Sequence, residues 1–185
     1  DNAACEQAIL LACDGSVHFD EEGKAYLKVG AWEEPAVTLS GARDILAMSS
    51  REVEDGEMET DGVIVTYTDP DLGYVEQPCA PWQNPDFYDP ARIPNYSQVK
   101  IEACQNHNQA VRLAKAIGRR SQAPYRLAPT VGLRSLLLRR ERIIDLDYDE
   151  TYTGPQQIVS PVEISENGMM GQVALVPAFD DNWDL

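Results

Sequence analysis

The chain has 185 residues, 43% hydrophobic and 8% aromatic, with 31 acidic against 15 basic side chains and a net charge of −16. That length suits one large domain or two small ones with a real core. No run approaches the roughly 18 apolar residues of a membrane span, and the acidic surface opposes specific nucleic-acid binding, because it repels phosphate. The charge is unevenly spread: residues 99–142 hold 10 bases against 2 acids, whereas residues 143–185 hold 9 acids and no base. The basic block is expected to meet the acidic blocks within the chain. With Asp1-Asn2 at its start and neither an initiator Met nor a signal peptide there, the sequence reads as a piece of a longer polypeptide.

Residues 2–13 predict a helix, with Ala4, Ala8, Leu11 and Ala12 on one stripe. Asp14-Gly15 stops it. A hairpin follows, Val17 and Phe19 in its first strand and residues 26–29 in its second, around Glu21-Glu22-Gly23. Alternation places His18 opposite Val17 and Phe19, toward solvent. Trp32, Pro35 and Gly41 break the next segment, and the acid-dense residues 51–61 read as an exposed connection or edge strand. Residues 62–68 form the clearest strand: Val63, Val65 and Tyr67 share one face, and Asp69-Pro70-Asp71-Leu72-Gly73 turns the chain.

Residues 77–97 carry five prolines interleaved with Trp82, Phe87, Tyr88 and Tyr96. A loop of that length inside a compact domain serves binding more often than mere connection. Prolines hold its shape and aromatics make good protein-interface anchors. These four rings are therefore the interface candidates, the alternative being that they pack onto the chain's own core.

Residues 99–103 predict a short strand and residues 106–120 a second helix, with Ala110, Leu113, Ala114 and Ile117 inward and Arg112, Lys115 and Arg119 on another face. Then the chain turns β. Residues 125–133 form a strand whose Pro129 marks an edge or bulge. Residues 136–148 form one long strand or two, with Leu146 and Tyr148 inward and Asp145, Asp147 and Asp149 outward. Residues 158–164 and 172–178 pair through Glu166-Asn167-Gly168. The order implies an α+β fold, a β-rich sheet or partial barrel carrying two surface helices. Residues 1–68 supply a helix, hairpin and strands, residues 69–98 the Pro/aromatic loop, and residues 99–185 the helix and strands that complete the module.

No catalytic constellation emerges. There is no G-x-S-x-G, H-E-x-x-H or P-loop. Cys104-x-x-His107 is a chance-level spacing, and the Asp145–Asp149 alternation departs from a calcium loop, having Glu150 where Gly is wanted and Gln156 where Glu is. Cys5, Cys13, Cys79 and Cys104 contain no C-x-x-C and read as buried free thiols of a protein assembled in a reducing compartment. No metal, cofactor or catalytic residue is expected.

Two segments together carry a resemblance. Val63-Ile64-Val65-Thr66-Tyr67-Thr68-Asp69-Pro70-Asp71, trailed by Tyr74, precedes Glu102-Ala103-Cys104, the helix Asn108-Gln109-Ala110-Val111-Arg112-Leu113-Ala114 and the return strand Tyr125-Arg126-Leu127-Ala128-Pro129-Thr130-Val131-Gly132-Leu133. This resembles the hub region of the tail-tip host-specificity (J-like) proteins of long-tailed phages and the baseplate hubs of gene transfer agents. The family's Pro-Gly-Asp turn after the return strand is replaced here by Arg140-Glu141-Arg142. The resemblance implies a hub-like fold and a non-enzymatic virion structural role, closing the tail tube and linking it to receptor-binding parts. It further implies a homotrimer in the assembled tail, contacts with tail-tube, distal-tail and tape-measure proteins, and no catalytic residues. A direct receptor- or glycan-binding module and a cell-wall hydrolase are the competing readings.

Overall fold

A computed structural model describes residues 2–19, 22–52, 60–85, 91, 93–165 and 169–184. Helix α1 (Asn2–Ala12) leads into a two-stranded antiparallel hairpin, β1 (Ser16–Phe19) and β2 (Ala25–Lys28). Only Ala12 of α1 is buried, while Ile9 and Leu11 stay exposed. An isolated helix this short is marginal in water. Its end is held by Asp14 at φ 48° and by Gln109, whose Nε2 donates to the Ala12 carbonyl.

The chain then builds two sheets with two cores. The larger, eight-stranded sheet takes β3 (Thr38–Ser40), β4 (Ile45–Glu52), β9 (Tyr125–Val131), β10 (Ile143–Asp147), β11 (Thr153–Ile158), β12 (Glu163–Ile164), β13 (Gly171–Gln172) and β14 (Leu175–Pro177). Pairing runs from β4 to β9, β14, β11, β10 and finally β3, the last contact parallel and the others antiparallel. The two ends of that path, β3 and β4, are joined by residues 41–44 alone, so the sheet curls into a half-barrel around Leu39, Leu127, Val131, Leu138, Ile144, Leu146 and Leu175. Asp44 holds the corner. Its buried carboxylate accepts from the Ser40 amide and from Arg43 and Arg134, and Arg134 also donates to the Thr38 carbonyl. The Arg43 hydrogen bond, with Ser40 and Arg134 behind it, pulls the Asp44 carboxyl far below the usual range against the opposing effect of burial.

The smaller sheet centres on β5 (Gly62–Asp69), flanked by β6 (Val75–Pro78) and β7 (Trp82–Gln83), both antiparallel, and by the parallel β8 (Tyr96–Lys100). Val63, Val65 and Tyr67 face inward as alternation requires. Helix α2 (His107–Ser121) lies over them with Ala110, Leu113 and Ala114 buried. Asn106 caps it, its side chain accepting from the amides of Asn108 and Gln109. The protein is thus α+β and β-rich.

Several local expectations are corrected. Residues 136–138 belong to a short helix, α3 (Ser135–Leu138), and the strand starts only at Ile143. Three leucines in a row suit a helical turn capping the barrel, where Leu138 is fully buried and Leu137 is half exposed. Pro129 sits in a strand paired on both sides, opposite the break between β13 and β14 where the ladder is interrupted. Tyr148 lies beyond the end of β10 and is 39% exposed. Cys5 is exposed, whereas Cys79 and Cys104 are buried; all four thiols are free. The Glu166-Asn167-Gly168 turn and most of the acidic 51–61 run lie outside the described residues.

Candidate functional site

Of the four aromatic interface candidates, Phe87 and Tyr88 lie outside the described residues. Trp82 is half-buried and packs on the core between the smaller sheet and α2. Its indole covers Gly118 so closely that a Cβ there would come within 2.0 Å of the ring. A Cβ on Gly62 would likewise come within 2.0 Å of the Trp82 carbonyl oxygen. Tyr96 opens β8 and its hydroxyl donates to Gln83 Oε1 at 3.3 Å. Both described rings make contacts within the chain, and both stay only half-buried. The signal that could have announced the Trp82 contact is Gly118, a glycine inside a helical pattern, where it costs about 1 kcal/mol against alanine.

A cleft lies elsewhere, among the described residues. About 620 Å³ in volume, it opens between β1, the C-terminal end of α2, the α3–β10 connection and the end of β11. Its lining includes Val17, Ile117, Ile158 and Val162, and the four arginines Arg120, Arg126, Arg139 and Arg142 against the two carboxylates of Asp14 and Glu141. In a chain of net charge −16 this is a local concentration of cations. His18 also lines it, contrary to the solvent-facing expectation, because the detached β1–β2 hairpin turns that face onto the arginine block. Its Nε2 lies 2.7 Å from Ser16 Oγ. Burial lowers the imidazole's pKa below its ordinary value, opposed by a hydrogen bond with the Arg139 backbone.

One end of the cleft is a fixed ionic node. The Asp14 carboxylate accepts from Arg142 Nη2, from Trp183 Nε1 at 2.7 Å, and from Arg120 Nη1 at 2.6 Å. Arg142 also donates to the Asp14 carbonyl and lies 4.8 Å over the Trp183 ring. Asp14 and Arg142 are 128 residues apart, so no local pattern announces the pair. Arg142 is only 5% exposed, and its Nε has no acceptor among the described residues. Burial lowers the guanidinium pKa, with Asp14 opposing.

Beside it, the C-terminal 3-10 turn Asp180–Trp183 docks on α2. Asp181 accepts a two-pronged contact from Arg119 and a further bond from Lys115 at 3.2 Å, as the basic block was expected to meet acid within the chain. The Arg119 hydrogen bonds lower the Asp181 carboxyl to about 2 against the opposing effect of burial, Lys115 adding to them. An unfolded Asp titrates near 3.9. The folded value is the lower one, so this contact stabilises fully above about pH 4 and fades as pH falls toward 2. Carbon-13 NMR titration of Asp181 is expected to give a midpoint near 2, returning toward 4 in Arg119→Gln.

Among the described residues no group of three or more His, Cys, Asp or Glu side chains is placed to hold a metal, and no helix is long and apolar enough to cross a membrane. The ionisable groups that converge on the Asp14 node are paired with one another.

The fold is similar to those of three solved proteins from phage-type particles. It matches a chain in the virion of a native gene transfer agent particle with TM-score 0.68 at 16% identity, over 96% of this chain and 39% of that one. It also matches the 43 kDa tail protein of prophage MuSo2 from Shewanella oneidensis, with TM-score 0.51 at 12% identity over 97% of this chain and 52% of that one. A third match is the tail protein from Neisseria meningitidis MC58, with TM-score 0.50 at 14% identity over 95% of this chain and 53% of that one. The chain therefore spans only about half or less of these proteins. No family model and no curated protein sequence matches it. The likeness to phage tail and gene transfer agent proteins read from residues 63–74 and 102–133 is thus met by the fold.

Proposed function

We propose that the chain is a non-enzymatic structural part of a phage-type tail, placed in the hub at the tail tip, where it closes the tail tube and links it to receptor-binding parts. The observation that carries this reading is the shared architecture over 96% of the chain with a component of a gene transfer agent particle. Tail-tube, distal-tail and tape-measure proteins are the expected partners, and a homotrimer the expected assembly. Rings of subunits suit a module whose eight-residue β4 is paired to β9 alone among the described residues and so leaves a strand edge for further pairing.

Direct receptor or glycan binding through the Pro/aromatic loop is the weaker reading, because Trp82 is spent on Gly118. Immunogold labelling of purified particles with antibody to this chain tests the placement. Label is expected at the tail end distal to the head. Label along the tube or on the capsid overturns the hub reading, and clearing of a cell-wall zymogram by the chain overturns the non-enzymatic one.

A further inference from the structure

The arginine-walled cleft and the densest described run of acid lie at opposite ends of one hairpin. β10 and β11 pair from Ile143↔Gln157 to Asp147↔Thr153. At the first end, Arg142, Gln157 and Ile158 line the cleft. At the other, roughly 15 Å away at about 3.3 Å per residue, the turn displays exposed Asp147, Asp149 and Glu150 around Tyr148, which is 39% exposed. The turn is held in shape, since Asp149 Oδ1 accepts from the amides of Thr151 and Tyr152.

The two ends are complementary in kind. The turn offers carboxylates and an aromatic ring. The cleft offers apolar side chains, the guanidinium groups of Arg139 and of Arg126 (whose Nη2 also donates to the Arg120 carbonyl), and the buried Arg142, whose Nε is unpartnered among the described residues. Asp14 is already shared between Arg120 and Arg142, and with Glu141 as the other carboxylate of the lining the four arginines remain in excess.

We propose that the cleft receives the 147–150 turn of a second copy of this chain, giving a head-to-tail contact. Such a contact uses two different surfaces, so each subunit keeps one free socket and one free tip until the chain of contacts closes into a ring. The proposal needs only this chain's own surfaces and stands apart from the placement in a tail.

Charge reversal tests it. One variant, R126E/R139E, makes the cleft acidic; the other, D147K/E150K, makes the tip basic and leaves the turn-forming Asp149 intact. Sedimentation velocity of the unaltered chain should show concentration-dependent association that weakens at about 0.5 M salt, where charges are screened within a few ångströms. Each variant alone should associate at least about tenfold more weakly. An equimolar mixture of the two, or one chain carrying both reversals, should associate again, which also establishes that the altered chains fold. An unaltered chain that stays monomeric, variants that associate as before, or a mixture that fails to recover overturns the proposal. It is likewise overturned if polyglutamate dissolves the assembly as well as a peptide of residues 145–152, because the cleft then accepts any acidic segment.

Discussion

Asp14→Ala is expected to lower unfolding stability by about 3–5 kcal/mol, the usual cost of removing one partner of a buried ion pair. Arg142 would be left charged and 5% exposed, with Arg120 and the Trp183 indole losing the same acceptor. Typical domains hold about 5–15 kcal/mol in all, so this single change takes a large share. Urea unfolding measures it: the midpoint should fall sharply with little change in slope. Asp14→Asn should cost less, since Asn tolerates the positive φ of 48° and keeps a side-chain acceptor for one donor. A midpoint unchanged in Asp14→Ala would mean that the node contributes nothing to holding the α1–β1 turn, α2, β10 and the C-terminal turn together.

Gly118→Ala is expected to destabilise by about 2–3 kcal/mol, within the range for overpacking a filled core. Propensity alone argues the opposite, because alanine is favoured over glycine inside a helix by about 1 kcal/mol. The clash decides the sign: the new methyl would sit 2.0 Å from the Trp82 ring, and that ring is fixed by β7 pairing to β5. Thermal unfolding followed by circular dichroism distinguishes the two outcomes. A raised Tm would show that Trp82 moves away at little cost. The double change Gly118→Ala with Trp82→Leu should recover part of the loss, since the smaller side chain vacates the space.

What the sequence made legible was local. The alternation of Val63, Val65 and Tyr67 and the stripe Ala110, Leu113, Ala114 and Ile117 each marked a buried face, because one period and one capped end specify such elements. The general class, α+β with a partial barrel, followed from their order. What stayed hidden was set by distant partners. The run Leu136-Leu137-Leu138 fits strand or helix equally until the barrel end that it caps is known. β3 is three residues long and exists through its parallel pairing with β10. His18 was misplaced because alternation gives a face but not what lies against it. The arginine cleft was visible as a basic block at residues 99–142, yet its convergence on β1 depends on Asp14, whose neighbour Gly15 signalled only a helix stop.

The corner that joins β3 to β4 has a consequence during synthesis. These strands are made early, but β3 pairs with β10, about 100 residues later, and β4 with β9. At about 5–20 residues per second a ribosome needs several seconds or more to supply those partners. Until then Leu39 and Ile45 have nothing to cover them. The nascent first half is accordingly a natural client for chaperones, and the half-barrel can close only once nearly the whole module has left the exit tunnel.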